Sequence, residues 1–274
     1  MTEQPHKADM RKILFTLLFL TLSMTMLAQD YAHIKDIPYT AAGETDAYRL
    51  ERCKLDIYYP ENTSGFATLV WFHGGGLKGG EKGLNGMFRN QGFAVVDVNY
   101  RLYPKVKCPG YIDNSAMALA WVFNHIAEYG GNPDRIYVGG ISAGGYLTLM
   151  LVLDKSYLGK YGIDADRIAK AYPVSGQTAT HFTIKEERGM DVDIPFIDEY
   201  APSFQSRREG APLMLITGDR NLEMLARWEE NAHLYAILKH LGHPVELFEL
   251  QGFSHYTIGA PASCLIRDDI RSGK

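Results

Sequence analysis

A serine, a histidine and a carboxylate, widely separated along this chain, are the residues whose types could do chemistry together. Ser142 stands in Gly140-Ile141-Ser142-Ala143-Gly144, a GxSxG pattern in which a strand turns sharply into a helix and presents the hydroxyl. The glycines matter because that turn leaves no room for β-carbons on either side. A serine hydroxyl attacks poorly until a base removes its proton, and the base needs a third group to fix its tautomer and steady the imidazolium. His255 is the candidate base, since alone among the nine histidines it sits in a small loop, Gly252-Phe253-Ser254-His255, just beyond the last apolar strand. Asp219, directly after a strand end, is the first choice of acid, and Glu223 is the alternative; Asn221 lies between them.

A second feature is His73-Gly74-Gly75-Gly76. Unsubstituted backbone of this kind can bring N–H groups close to a developing oxyanion. The donors would be Gly75 or Gly76 and Ala143, the residue after the nucleophile, while the His73 imidazole anchors the loop. The chemistry is acyl transfer to Ser142, followed by hydrolysis with water activated by His255. Such a reaction requires no metal and no organic cofactor.

These groups need rigid elements to hold them. Ala67 to Phe72 and Phe93 to Val98 are continuous apolar runs, as expected of strands buried on both faces of a parallel sheet. Arg135 to Val138, Ala169 to Val174, Leu213 to Thr217 and Val245 to Leu250 extend the series. Helices are expected from Ser115 to about Tyr129, with Ala116, Leu119, Phe123 and Ile126 on one stripe, and from Tyr146 to Leu153. A third, from about Leu225 to Leu241, is expected to face inward with Trp228, Ala232, Tyr235, Leu238 and Leu241. Ile34 to Tyr39 and Lys54 to Tyr59 read as a β-hairpin at the sheet edge. Alternating strands and helices give an α/β fold: a doubly wound, mostly parallel sheet with helices on both faces. The span 175–210 is polar and broken by glycine and proline, and is read as an insertion or lid over the site. His181 within it, and Tyr103, are the candidate substrate contacts.

Five blocks carry a family likeness: HGGG at His73 to Gly76, YRLYP at Tyr100 to Pro104, EYGGNPDRI at Glu128 to Ile136, GISAGG at Gly140 to Gly145 and GFSH at Gly252 to His255. With the order serine, acid, histidine, they resemble the α/β-hydrolase esterases near the hormone-sensitive-lipase type. The likeness is closer to the secreted carbohydrate esterases that include acetylxylan and feruloyl esterases, and it runs from about Lys54 to His255. It implies an α/β-hydrolase fold and a serine carboxylesterase acting on acetyl or aromatic acyl esters of plant-polysaccharide carbohydrate. The sequence ahead of the hairpin is too short for the N-terminal helical cap of the lipase relatives, which points away from long-chain lipid. Asn221 stands where many such enzymes place the aspartate, so the acid stays open. An arylformamidase-like amidase or peptidase, and a hydrolase scaffold kept for binding, are the competing readings.

Composition bounds the partners. At 274 residues, 46% hydrophobic and 22% charged, the chain suffices for one large domain spanning 30–274. A net charge of -4 offers no footprint for nucleic acid; the expected partner is a small-molecule or oligosaccharide ester. Lys7, Arg11 and Lys12 precede the apolar run Ile13 to Leu27, so residues 1–29 read as a secretory signal, with a periplasmic or secreted product and no stable membrane insertion once it is cleaved. An uncleaved anchor is the alternative. Cys53, Cys108 and Cys264 show no metal-ligand spacing; they allow one disulfide with a thiol left over, or three small buried hydrophobes.

Overall fold

The computed structural model describes residues 29–273. The expected signal segment lies, but for its last residue, outside the described residues. From Tyr31 onward the chain forms one compact unit. Its strands are β1 (Tyr31–Pro38), β2 (Lys54–Pro60), β3 (Phe66–Phe72), β4 (Ala94–Val98), β5 (Gly131–Ile141), β6 (Lys170–Val174), β7 (Leu213–Gly218) and β8 (Val245–Leu250). Its helices are α1 (Ala47–Arg52), α2 (Gly110–His125), α3 (Ala143–Leu153), α4 (Lys155–Gly159), α5 (Phe182–Glu187), α6 (Arg227–Leu241) and α7 (Gly259–Ser272). The strands form one sheet in the order β1-β2-β4-β3-β5-β6-β7-β8. β1 and β2 are antiparallel to each other, as are β2 and β4, and all later pairings are parallel.

The apolar runs are explained by a core on each face of the sheet. Val70 and Phe72 of β3, Val96 and Val98 of β4 and Leu213 and Leu215 of β7 join the core under α2, α3 and α6. Their alternate neighbours Leu69, Trp71, Val95, Met214 and Ile216 join the core under α7. Side chains alternate across a strand, so a strand covered on both sides must be apolar throughout. The parallel strands therefore end together, and loops at their C-terminal ends share one rim, where open α/β sheets bind ligands.

Several details differ from expectation. The edge pair β1–β2 is present, but α1 lies within its connection. α2 begins five residues before Ser115, because Asn114 and Ser115 are buried helix positions and Asn114 accepts from Arg101 at 2.9 Å. α7 has no counterpart among the expected helices, although Ala262, Ile266 and Ile270 recur at helical spacing and are its buried face. On α6 the inward face is Arg227, Asn231, Leu234 and Leu238, with only Leu238 shared with the expected stripe. Two polar residues point in because Asn231 donates to the Gly176 carbonyl at 2.8 Å and Arg227 donates to that of Ser175. The cysteines are unpaired: Cys53 is buried, and Cys108 and Cys264 are partly so.

One core residue runs against the fold. Asp97, the fourth residue of β4 and 2% exposed, has neither carboxyl oxygen hydrogen-bonded among the described residues. Burial foremost, then the cross-strand neighbour Asp56, pushes its carboxyl up to about 7. A carboxyl raised on folding stabilises the fold while protonated, and that contribution is lost as pH climbs from about 4 through about 7. A rise of this size corresponds to roughly 4 kcal/mol at most. Asp97→Asn is therefore expected to raise the melting temperature at pH 8 by ~4 °C or more and to flatten its fall between pH 4 and 8. An unchanged pH dependence in thermal melts would contradict this.

Candidate active site

Ser142 links β5 to α3 with φ 57° and ψ -115°, a conformation that L residues rarely adopt. It is over-determined on both sides. The Ser142 N–H donates to the Val174 carbonyl at 2.8 Å, and the Ser142 carbonyl accepts from Tyr146 at 3.0 Å. Gly144 lies so close beneath β3 that a β-carbon there would stand 2.0 Å from the Phe72 carbonyl oxygen. The turn that presents the hydroxyl thus depends on a glycine two residues on.

His255 lies in the turn between β8 and α7 and is 8% exposed. Its Nε2 is 3.0 Å from Ser142 Oγ, and its Nδ1 is 2.8 Å from Glu223 Oε2. Glu223 comes from the loop between β7 and α6, and its side chain is only 1% exposed. Burial alone would raise its carboxyl, but hydrogen bonds from His255, Ser175 and the Gly218 N–H outweigh it and hold the group down at about 2. Oε1 accepts the Ser175 hydroxyl and, at 3.0 Å, the Gly218 N–H. With Nδ1–H donating to this carboxylate, Nε2 is left as the acceptor for the serine proton.

The first-choice acid does not reach the imidazole. Asp219 Oδ1 accepts the Asn221 N–H at 2.9 Å, and Oδ2 accepts the Gly252 N–H at 3.0 Å. Its carboxylate closes its own turn and ties that turn to the histidine loop. Its backbone N–H donates to the Phe253 carbonyl at 2.8 Å and reinforces the tie. Four residues further on, the Glu223 N–H donates to the Asp219 carbonyl at 2.9 Å, and the chain has come round to face His255.

Gly74, Gly75 and Gly76 line a pocket of about 360 Å³ together with Ser142, His255 and Tyr256. Gly75 has φ 113°, and a β-carbon there would fall 2.2 Å from the Gly79 carbonyl oxygen. Among the described residues no acceptor takes the N–H of Gly75, Gly76 or Ala143, which leaves these donors for a ligand. Behind the loop, His73 Nδ1 donates to the Gly74 carbonyl at 2.7 Å and its ring stacks on Tyr100 at 4.4 Å. Burial drives His73 down to about 4, so it stays neutral.

Neither expected substrate contact lines this pocket. His181 is 1% exposed and caps α5, its Nδ1 accepting the Thr183 N–H at 3.1 Å. Tyr103 is held behind the glycine loop, where its N–H donates to the Leu77 carbonyl at 2.9 Å. The pocket wall is supplied instead by Ile141, Phe182, Met224 and Tyr256. The span 175–210 is buried from Ser175 to Thr183 apart from half-buried Phe182, so its first part is wall. Ser175, with φ 47°, supports Glu223 and is absent from the expected site; a serine and glycine straight after a buried strand are its sequence signal.

A strained serine turn, a buried imidazole bonded at both nitrogens and free amides beside them, all on the rim of an eight-stranded mixed sheet, define the class: this chain has the α/β-hydrolase fold. More particularly, residues 55–185 match the BD-FAE family model. A probable carboxylic ester hydrolase, LipM, of Mycobacterium tuberculosis is 29% identical over 72% of this chain and 48% of its own length. The chain thus spans about half of that relative. Among solved structures, a truncated carbohydrate esterase from gut microbiota superimposes with TM-score 0.73 at 14% identity, covering 91% of this chain and 99% of that one. A bifunctional GH43-CE protein of Bacteroides eggerthii gives 0.66 at 16% identity, over 88% and 38%.

The two carboxylates can be separated without a substrate, by the rate at which a fluorophosphonate labels Ser142. Glu223→Gln is expected to slow labelling by about 1,000-fold or more, and Asp219→Asn by less than about tenfold. The reverse order, read by mass spectrometry of the labelled peptide, would return the acid role to Asp219.

Proposed function

We propose that the protein is a serine carboxylesterase that removes acyl groups from ester-substituted carbohydrate through an acyl-enzyme on Ser142. The observation that carries this reading is the unbroken chain Glu223 Oε2, His255 Nδ1, His255 Nε2, Ser142 Oγ, with contacts of 2.8 and 3.0 Å. Ser142 Oγ attacks the ester carbonyl as its proton passes to Nε2, and Glu223 steadies the imidazolium. The oxyanion takes hydrogen bonds from Ala143 and from Gly75 or Gly76. Collapse expels the alcohol, which leaves with the proton from Nε2. Water then attacks the acyl-enzyme by the same path, releasing the acid and restoring the serine.

The carbohydrate part rests on the BD-FAE match and on the two carbohydrate-esterase neighbours. Tyr256, 89% exposed at the pocket mouth beside His255, offers a face on which a sugar ring can stack. Export to the periplasm or medium is part of the same proposal and rests on the basic and apolar pattern of the first residues.

Purified protein is expected to hydrolyse p-nitrophenyl acetate, with Ser142→Ala reduced to background; equal rates would end the proposal. Matched ester and amide substrates should be turned over in favour of the ester, and amide preference would move the protein to the amidase reading. The lowered Glu223 carboxyl sets the acid limit of the site. Its ionised form supports the site above the ordinary value of 4.5 and fails only as pH falls toward about 2. The acid limb of kcat/KM against pH is therefore expected to show one proton, not two, and a limb of slope two would contradict this.

A further inference from the structure

Beside the serine pocket lies a second cavity of about 260 Å³, and Phe182 and Met224 line both. Its remaining apolar wall is Val192, Pro195, Leu225 and Ala226. Arg227 also lines it, at the first turn of α6, and is 4% exposed. Only one edge of this guanidinium is used: Nη1 donates to the Ser175 carbonyl. Its Nε is fully buried without a hydrogen-bond partner, and Nη2 makes no bond to any described residue. Nε is sealed from the cavity, so Nη2 is the donor left to it, and a buried arginine with unpaired donors is costly unless something fills them.

Glu230 and, beyond it, Glu223 attract the Arg227 charge, but no described side chain bonds Nη2. The Glu230 carboxylate is in the wall, but its Oε2 accepts the Thr178 N–H at 2.9 Å and the Ala179 N–H at 3.3 Å, and it forms no ion pair with Arg227. Lys185, the other cation in the wall, is committed to the Val192 and Ile194 carbonyls at 2.5 and 2.8 Å. Asp193 is exposed at the edge of the cavity.

We infer that this cavity is a substrate subsite in which Arg227 receives a carboxylate carried by the ester, a few atoms from the bond that Ser142 attacks. Nη2 of the guanidinium can give a carboxylate a charge-assisted hydrogen bond. The apolar wall and the nearby Glu230 and Asp193 favour a singly charged organic acid over a phosphate dianion. The carboxylate can belong to the acyl half, as in a dicarboxylic half-ester, or to the alcohol half, as in an acylated sugar acid. The inference deepens the esterase reading and rests on it.

Two matched pairs distinguish the sources: 4-nitrophenyl hydrogen glutarate against 4-nitrophenyl valerate, and 3-acetoxybenzoate against 3-acetoxybenzamide. The wild type is expected to favour the charged member of one pair by about 10- to 100-fold in kcat/KM. In Arg227→Met that ratio should collapse to near one, with Arg227→Lys intermediate. A neutral preference in both pairs, or a ratio unmoved by Arg227→Met, would overturn the inference. Should Arg227→Met fail to fold, the wild-type ratios and their fall with added salt still decide. Calorimetric titration of the wild type with glutarate and with 3-hydroxybenzoate, against the corresponding amides, needs no turnover. Binding of either acid alone supports the subsite even if p-nitrophenyl acetate hydrolysis, and with it the esterase reading, fails; equal or absent binding in both pairs rejects it.

Discussion

The site depends on a backbone turn that only close packing can hold. Ser142 sits at φ 57° because β5 must hand over to α3 within one residue while Gly144 passes directly beneath the Phe72 carbonyl. Any side chain at that crossing would push the helix off the sheet. The same crossing sets the Ala143 N–H at the start of α3 and puts the glycine loop after β3 beside it. Nucleophile and oxyanion donors are thus consequences of one contact between β3 and α3.

The acid and base are held by a second constraint, the joining of two loops after neighbouring parallel strands. β7 and β8 end side by side, and Asp219 fastens the loop after one to the loop after the other through Gly252 and Phe253. That fastening sets the separation of Glu223 from His255. Ser175, Gly218 and His255 then converge on one carboxylate that burial alone would raise, and their three hydrogen bonds outweigh it. Asp219 and Glu223 divide the work: one orients loops, the other faces the imidazole.

Much of this was legible in the residues. The buried strands are plain because a sheet covered on both faces leaves no polar alternation, and Ser142 and His255 stand out by their place after strands; the structure sets them 3.0 Å apart. The acid was harder. Asp219 and Glu223 differ by four positions, and only the turn decides which carboxylate swings round; Asp219 is captured by the Asn221 and Gly252 amides first. A histidine in a polar span looks available to a ligand, whereas His181 is buried and caps the half-buried helix α5. The inward face of α6 was misplaced for the converse reason. Arg227 and Asn231 lie off the expected apolar stripe, yet they face inward because they satisfy carbonyls at the start of the 175–210 span.

The central claim is that the Nδ1 proton of His255 is held by Glu223, and proton NMR of the imidazole region tests it most directly. A far-downfield N–H resonance is expected in the wild type, retained in Asp219→Asn and lost in Glu223→Gln. Its survival in Glu223→Gln, together with its loss in Asp219→Asn, would contradict the account.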